Sequence, residues 1–419
     1  MRTTHTNRVV RVLIALALSV LMSFPLIAEG QKEAEGDGDG DGGNPVKIGA
    51  LMPMTGDLQA YGTADLRGPQ LAAKQINEQG GVLGRQLDVV VGDTQTRPQA
   101  GIDAAQKLIS VEGVYGIVGA LSSGVTIPVA QSVSSSEQVP QISPASTSPV
   151  ITGLEDQDFM FRTVPSDAFQ GVALATLVQD AGYQNVATVY VNNDYGEGLA
   201  NSFEGNFDGN VSASLPYEQG NASYRGELQK AAANGAEALL LIGYPENGIT
   251  ILRQAIEQGY FDEFIFTDGM KAPEVIEAIG ANNLNGSFGT VPQSLDTEAA
   301  ELFKSAYEAE YGELPPKPYI DTAYDAAFVL ALAAQKAGST ESVAVRDNLR
   351  SVANEPGTKI LPGQWEKALQ ALENGEDVNY QGASGSIEFD DNGDVGGTIG
   401  HWVIEDGEIK TEKVFEPEM

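Results

Sequence analysis

From residue 45 onward, short apolar runs alternate with longer segments in which apolar residues recur at helical spacing. Runs such as 238–243 contain no polar position, which is typical of parallel strands that are buried on both faces. The helical segments end at glycines or loops, as 66–79 does before Gly80-Gly81. The pattern predicts two successive groups of strands, the first at 46–53, 86–93, 114–120, 141–143 and 159–164, the second at 186–192, 211–217, 238–243 and 263–268.

Helices are predicted between these strands, at 66–79, 98–111, 124–138, 167–181, 197–207, 224–234, 248–258 and 273–279. The chain then becomes mainly helical, at 297–311, 322–336, 341–353 and 365–372, and ends in a β region at 385–389 and 401–405. This order predicts an α/β fold of two doubly wound parallel-sheet lobes with a cleft between them. Ligands of such sheets bind at the carboxyl ends of the strands, so we expect functional side chains directly after strands.

Length and composition exclude several classes of fold and function. Of 419 residues, 375 follow the first 44, which is too many for one ordinary core and enough for two lobes. The absence of cysteine excludes disulfides, cysteine nucleophiles and zinc–cysteine sites, and two histidines, His5 and His401, disfavour histidine metal sites and triads. A net charge of −34 repels phosphate backbones. We therefore expect no metal, no cofactor and no nucleic-acid partner.

The amino terminus has the pattern of a secretory signal. Arg2, Arg8 and Arg11 precede an uncharged apolar run at 12–28, which predicts a signal peptide over 1–28 and an extracytoplasmic, periplasmic protein. The alternative is a retained membrane anchor, because 17 apolar residues are at the short limit for a spanning helix. Glu29 stands where a lipoprotein needs cysteine, so no lipid anchor is expected. Residues 29–44 are Gly-rich and acidic and predict a flexible linker.

Polar residues follow several predicted strands. The segments 119–124 and 143–149 are rich in serine and threonine, and their hydroxyls and helix-start amides suit a carboxylate. Tyr195, Tyr244 and Asp268 follow strands of the second group. An aspartate beside tyrosines suits an ammonium group. Each of these features alone is also common as a helix cap or a turn. The prediction of a zwitterion site therefore rests on their joint position on facing lobes.

Enzyme motifs are absent. The chain contains no G-x-S-x-G elbow, no phosphate-binding GxxxxGK[ST] loop, no H-E-x-x-H and no S-x-x-K. The glycines of 193–198 resemble a dinucleotide turn, but Asn201 occupies the third glycine position. Among 58 acidic residues no pair stands out as a catalytic pair. We therefore predict a binding protein, and a secreted α/β enzyme is the disfavoured alternative.

Several motifs together resemble one family, the leucine/isoleucine/valine-binding proteins, which are type I periplasmic binding proteins that deliver solutes to ABC importers. The resemblance covers essentially Pro45–Met419. The motifs are VKIGALMPMTGDLQAYG, INEQGGVLGRQL, PQAGIDAAQKLI, the SPASTSP turn, NDYGEGLA and GASGSIEFDDNGD. The sequence lacks the cysteines of the small first-lobe disulfide found in better-known members.

The resemblance implies a role for individual residues. Ser123 and Thr147 would hold a ligand carboxylate with the main-chain amides of Ala145 and Thr147. The ammonium would be held by Asp268, Tyr195 and the carbonyl of Ala145. The implied pocket wall consists of Tyr61, Leu121, Phe169 and Tyr244. Asp268 stands where some relatives have the longer glutamate, which shifts the reach of the carboxylate by about one methylene.

The resemblance also implies the domain organisation and partners. Three crossings between the lobes imply an N-terminal lobe of 45–165 plus about 294–375, and a C-terminal lobe of 166–293 plus about 376–419. The implied function is a monomeric binding protein that closes on a branched-chain or other aliphatic amino acid and delivers it to permease subunits in the inner membrane. A sensor module, or a binder of amides, urea or aromatic acids within the same family, are the alternatives.

Overall fold

The computed structural model describes residues 43–415, so the predicted signal peptide and most of the predicted linker lie outside the described residues. The strands, numbered in chain order, are β1 Val46–Met52, β2 Leu87–Asp93, β3 Ile117–Gly119, β4 Gln141–Ser143, β5 Met160–Arg162, β6 Asn185–Val191, β7 Asn210–Tyr217, β8 Ala238–Ile242, β9 Phe264–Phe266, β10 Phe288–Pro292, β11 Thr358–Ile360, β12 Val378–Gly382, β13 Gly385–Ser386, β14 Ile399–Glu405 and β15 Glu408–Phe415.

The helices are α1 Gln59–Glu78, α2 Pro98–Lys107, α3 Ser123–Val129, α4 Ser135–Glu137, α5 Asp167–Asp180, α6 Asp194–Asn206, α7 Arg225–Ala232, α8 Pro245–Glu257, α9 Pro273–Ile279, α10 Ala281–Leu284, α11 Glu298–Tyr311, α12 Ile320–Ala337, α13 Ser342–Ala353 and α14 Trp365–Glu373. Wider π-helical turns extend α2 and α3, at Leu108–Glu112 and Ala130–Ser134. Short 3-10 turns occupy Pro149–Gly153 and Asp268–Met270. Within 43–415 no helix is long and apolar enough to cross a membrane.

The first lobe is built on a five-stranded parallel sheet in the order β2-β1-β3-β4-β5. Ile48 and Ala50 of β1 belong to one buried cluster with residues of α1 and α12, whereas Leu51 belongs to another with residues of α2 and α3. Alternate side chains of this inner strand are therefore covered by helices on opposite faces, as its continuous apolar run predicts. The predicted doubly wound α/β fold is confirmed for this lobe.

The second lobe is built on a seven-stranded sheet in the order β15-β14-β10-β9-β8-β6-β7. The strands from β7 to β10 are parallel, and β14 and β15 add an antiparallel hairpin at one edge. A turn at Asp406-Gly407 joins them. Strand β15 was not among the predicted strands, because its charged edge sequence, Glu408 to Lys413, lacks the apolar run of a buried strand.

A third, three-stranded sheet has the order β11-β12-β13. β12 packs against α12 and α13, on the side of the first lobe. The strand predicted at 385–389 is confined to Gly385–Ser386. β12 and β13 thus lie with the first lobe, whereas the predicted C-terminal lobe resumed at about residue 376.

The chain passes between the two large sheets three times, at 163–166, 293–297 and 387–398. Arg162, which is fully buried at the end of β5, donates from Nε and Nη2 to the two carboxylate oxygens of Asp394, each at 2.7 Å. This bidentate pair connects the start of the first crossing with the third. It therefore holds two of the three connecting segments at a fixed spacing.

The close packing of α12 on α1 sets the position of the residue that precedes α12. A Cβ atom at Gly68 of α1 would lie 2.4 Å from the carbonyl oxygen of Ile320, so only glycine allows this approach. Tyr319 precedes α12 with a left-handed backbone at φ 77°. The helix start, and with it Tyr319, is thereby brought to the edge of the first sheet that faces the second lobe.

Candidate ligand-binding site

A small cavity lies between the lobes, at the carboxyl ends of both large sheets. Its first-lobe wall comes from the segments after β1, β3 and β4 and from the residue before α12, and its second-lobe wall from the segments after β6, β8 and β9. The lining residues are Leu58, Tyr61, Leu121, Ser122, Ser123, Ala145, Tyr195, Tyr244, Asp268, Gly269 and Tyr319. This position agrees with the expected location of ligands in doubly wound sheets.

Asp268 is the charged residue of the cavity wall, and it is 3% exposed. Its Oδ1 accepts hydrogen bonds from Gln170 Nε2 at 2.9 Å and from the Tyr195 hydroxyl at 2.8 Å. Its Oδ2 accepts one from the Tyr319 hydroxyl at 2.6 Å. The three donors orient the carboxylate, while the cavity wall contains no lysine, arginine or histidine to neutralise it.

The surroundings of Asp268 alter its proton affinity. Burial raises the pKa of the Asp268 carboxyl above its ordinary value, and the hydrogen bonds from Tyr319, Tyr195 and Gln170 oppose that rise. A second buried carboxylate, Asp167, has its pKa raised well above the usual range by burial and by the charge of Asp268. A cationic group beside Asp268 would favour the ionised form of both carboxyls, because opposite charges in a buried site attract strongly.

Hydroxyl groups and helix-start amides form the other end of the cavity. Ser123 begins α3, where the first backbone amides of the helix have no partner within the helix. The hydroxyls of Thr126 and Ser143 donate to the carbonyl of Ala120, at 3.0 and 2.6 Å, and hold this loop against Ala145. Such a wall of donors suits a carboxylate without any positively charged side chain.

The two lobes touch directly across the cavity. The hydroxyls of Ser122 and Tyr244 lie 2.9 Å apart, and the Tyr61 hydroxyl donates to the carbonyl of Gly269 at 3.0 Å. These contacts hold the lobes together in the arrangement described. Within the second lobe, the rings of Tyr195 and Tyr244 stack at 5.7 Å between centroids and an angle of 12°.

Most of the residues predicted from the sequence line this cavity: Ser123, Ala145, Asp268, Tyr195, Tyr61, Leu121 and Tyr244. Thr147 and Phe169 do not. The Thr147 hydroxyl donates to Asp167 Oδ2 at 2.8 Å, and Phe169 lines a separate groove beside the crossings. The ligand-binding roles implied for these two residues stay predictions.

Sequence reasoning missed several contributors. Ser122 is adjacent to the predicted Ser123, and the serine pair was a sufficient signal for both. Tyr319 follows a proline-rich loop and precedes a helix that was predicted to begin at 322. It does not follow a strand, which was the signal used to predict the other site residues. Gln170 reaches Asp268 from the face of α5, which depends on how that helix packs.

The sequence model of the family described as periplasmic binding protein matches residues 45–370. The chain belongs to the periplasmic binding protein family. Members of this family bind ligands and are not enzymes, so the prediction of a non-enzymatic substrate-binding protein is confirmed. The family is extracytoplasmic.

Individual relatives agree with this assignment. The chain is 30% identical to the chemotactic signal transduction system substrate-binding protein BasB of Halobacterium salinarum, over 83% of this chain and 84% of that protein. It is 30% identical to Leu/Ile/Val-binding protein homolog 1 of Brucella melitensis, over 78% of this chain and 92% of the relative.

A solved structure, the leucine binding protein LivK of Thermotoga maritima, matches with a TM-score of 0.75 at 28% identity, covering 89% of this chain and 99% of that one. These similarities confirm the resemblance to the leucine/isoleucine/valine-binding proteins that the motifs indicated.

Proposed function

We propose that this periplasmic binding protein captures an aliphatic amino acid, most favourably a branched-chain one, and delivers it to the permease of an ABC importer. The observation that carries the proposal is the buried carboxylate of Asp268, which lies in a cavity wall without a cationic side chain. A ligand ammonium group would supply the missing positive charge. The relatives named for leucine, isoleucine and valine support the same ligand class.

The ammonium group would lie at the Asp268 end of the cavity. Asp268 would accept a charge-assisted hydrogen bond, with the Tyr195 hydroxyl and the carbonyl of Ala145 as further partners. Tyr319 and Gln170 would keep the carboxylate oriented. A ligand without an ammonium group would leave Asp268 charged and unpaired, at a cost of a few kcal/mol in a buried site.

The ligand carboxylate would lie at the hydroxyl-rich end. The hydroxyl and backbone amide of Ser123 are the donors we assign to it, with Ser122 as an additional donor. The amide of Ala145, which donates to Ser143 Oγ at 3.4 Å, would be shared with the ligand. Thr147 would act through the loop that carries Ala145, because its own hydroxyl is donated to Asp167. The resulting arrangement binds both charged groups of a zwitterion while requiring no lysine or arginine.

The ligand side chain would contact the apolar part of the wall. Leu58, Leu121 and the ring of Tyr61 supply it from the first lobe, and Tyr244 covers the cavity from the second. Each methylene that is buried against this wall contributes about 0.8 kcal/mol to binding.

Ligand binding would be coupled to closure of the lobes. Residues of both lobes line the cavity, so a bound ligand makes more contacts in the closed form than in an open one. The three crossings at 163–166, 293–297 and 387–398 would form the hinge. The permease would recognise the closed, loaded form.

A second candidate function is ligand sensing. It rests on the similarity to BasB, a protein named as the substrate-binding component of a chemotactic signal transduction system. The same cavity would serve either function, because only the membrane partner differs. Loss of the protein would abolish uptake of radiolabelled leucine if it serves an importer, and would leave uptake intact while abolishing attraction to leucine if it serves a sensor.

Isothermal titration with a matched ligand series tests the proposed ligand class. Leucine, its amide, isovalerate and isoamylamine share an aliphatic body and differ in their charged groups. We expect leucine to bind at least about 100-fold more tightly than any of the other three, because each lacks one charged group of the zwitterion. Tightest binding of the amide, the acid or the amine would contradict the proposed zwitterion site.

A further inference from the structure

A second cavity, of about 240 Å³, lies beside the second crossing and shares Tyr319 with the ligand cavity. We call it the hinge cavity. Its residues come from both lobes and from the crossing that joins them, and they include Lys271, Ser294, Phe303, Leu314, Lys317 and Asp321. A ligand in this space would contact both lobes at once.

Lys271 is the unusual group in this cavity. It is 8% exposed and begins the segment that follows Asp268 and its 3-10 turn. Within residues 43–415 its ammonium group makes no hydrogen bond and has no carboxylate oxygen within 4 Å. Burial lowers the pKa of Lys271 to about 8, although the charge of Asp321 opposes this. The ammonium of a largely buried lysine that makes no hydrogen bond marks a position where an anion would be stabilised.

The less exposed charged neighbours of Lys271, Asp321 and Lys317, are already engaged, whereas Asp296 and Glu301 lie at the exposed rim. Asp321 accepts hydrogen bonds from the Thr322 amide at 2.9 Å and from the Ser294 hydroxyl at 3.3 Å. Lys317 donates to the carbonyl of Ala60 at 2.5 Å and to Glu274. Lys304 lies at the exposed rim of the cavity. Lys271 is therefore the buried cation of this cavity whose donors are uncommitted.

We propose that the hinge cavity is a second binding site, for a small carboxylate with an apolar body, and that Lys271 binds the carboxylate. The apolar body would contact Phe303, Leu314 and the proline-rich loop that ends at Tyr319. Because both lobes contribute to the cavity, an occupant would favour the closed arrangement. The inference does not depend on the ligand of the first cavity, since the charged group assigned to each ligand differs in sign, Asp268 in one cavity and Lys271 in the other.

Titration of the full chain with isovalerate, with and without saturating leucine, tests this proposal. We expect isovalerate to bind the wild type at about millimolar concentration or tighter, because one charge-assisted contact and a short apolar chain support that range. Lys271→Met should weaken binding at least about tenfold, and Lys271→Arg should retain it, since arginine keeps the charge. Lys304→Met, at the rim of the same cavity, is the matched control and should bind as the wild type does.

Equal binding of isovalerate by wild type and folded Lys271→Met would overturn the proposal, as would the absence of binding to the wild type. A crystal structure of the wild-type protein soaked with isovalerate gives an answer that does not depend on any variant folding. Density beside Lys271 Nζ is the expected result. Density only in the cavity of Asp268, or in neither cavity, would overturn the assignment.

Discussion

Two buried carboxylates of this protein, Asp268 and Asp325, have similar burial but different surroundings. Asp325 accepts four hydrogen bonds of 2.6–2.8 Å, from Tyr380, Ala383 and Ser384, all on one short segment of the first lobe. Asp268 accepts three, all from side chains, from Gln170, Tyr195 and Tyr319 on three separate elements. One of those donors, Tyr319, comes from the opposite lobe.

The comparison teaches that burial and hydrogen bonding alone do not mark a ligand site. Burial raises the pKa of both carboxyls, that of Asp325 to about 6. The backbone and hydroxyl donors around Asp325 already occupy the hydrogen-bonding positions of its carboxylate. A Cβ atom at Gly382 would lie 2.4 Å from its Oδ2, so no room is left for a ligand. Asp268 borders a cavity instead, so a ligand can add a partner.

The largest difference between the two carboxylates should appear in stability. Asp325→Ala leaves several buried donors unpaired and should lower the free energy of unfolding by about 3 kcal/mol. Asp268→Ala should lower it by less than about 1 kcal/mol, because water in the cavity can reach the freed donors. Urea unfolding of both variants without ligand measures this. Equal losses would mean that the two sites do not differ as described.

A matched pair of tyrosine variants sharpens the comparison. Tyr319→Phe removes a 2.6 Å hydrogen bond to Asp268 and should weaken leucine binding about tenfold, or about 1.4 kcal/mol. Tyr380→Phe removes the corresponding bond to Asp325 and should leave leucine affinity unchanged while lowering stability by about 1 kcal/mol. Titration calorimetry and urea unfolding of each variant separate the two outcomes. The reverse pattern would contradict the assignment of Asp268 to the ligand.

The raised pKa of Asp268 predicts a pH dependence of ligand binding. An ammonium ligand needs the ionised carboxylate, and burial favours the protonated form of the empty site. Leucine affinity should therefore be highest at neutral pH and fall as the pH drops through the raised pKa, by up to about tenfold per pH unit. Titrations at decreasing pH measure the slope. Asp268→Asn should remove it, and an unchanged slope in that variant would assign the titration to another group.

The smallest expected effect concerns the contact between the lobes. Ser122→Ala removes the hydrogen bond to the Tyr244 hydroxyl, which closes the cavity from the second lobe. We expect leucine affinity to fall about threefold, because one neutral hydrogen bond contributes about 1 kcal/mol at most here. Ser132→Ala, on the outer surface of the same lobe, is the control and should have no effect. A loss as large as that of Tyr319→Phe would indicate that Ser122 contacts the ligand charge directly.

Much of this site could be predicted from the sequence because parallel strands end at one edge. Tyr195, Tyr244 and Asp268 each follow a strand whose apolar run is unmistakable. Gln170 and Phe169 illustrate the limit. They are neighbours on α5, where successive residues point about 100° apart, so only one of them can face Asp268.

The sequence predicted the helix itself, at 167–181 against the observed Asp167–Asp180. The rotation of that helix is set by packing on the second sheet, which the pattern of the chain does not contain. Tyr319 was missed for a related reason: it reaches the cavity through the close packing of α12 on α1 at Gly68. Both cases depend on contacts between elements distant in the chain.

The central claim, that Asp268 holds the ammonium group of an amino acid ligand, is tested most directly by titrating leucine into wild type and Asp268→Asn. Asparagine keeps the size of the side chain and removes its charge. We predict that the dissociation constant rises at least about 100-fold, equivalent to about 2.7 kcal/mol, with the fold retained. A dissociation constant that stays within about threefold of the wild-type value would contradict the claim.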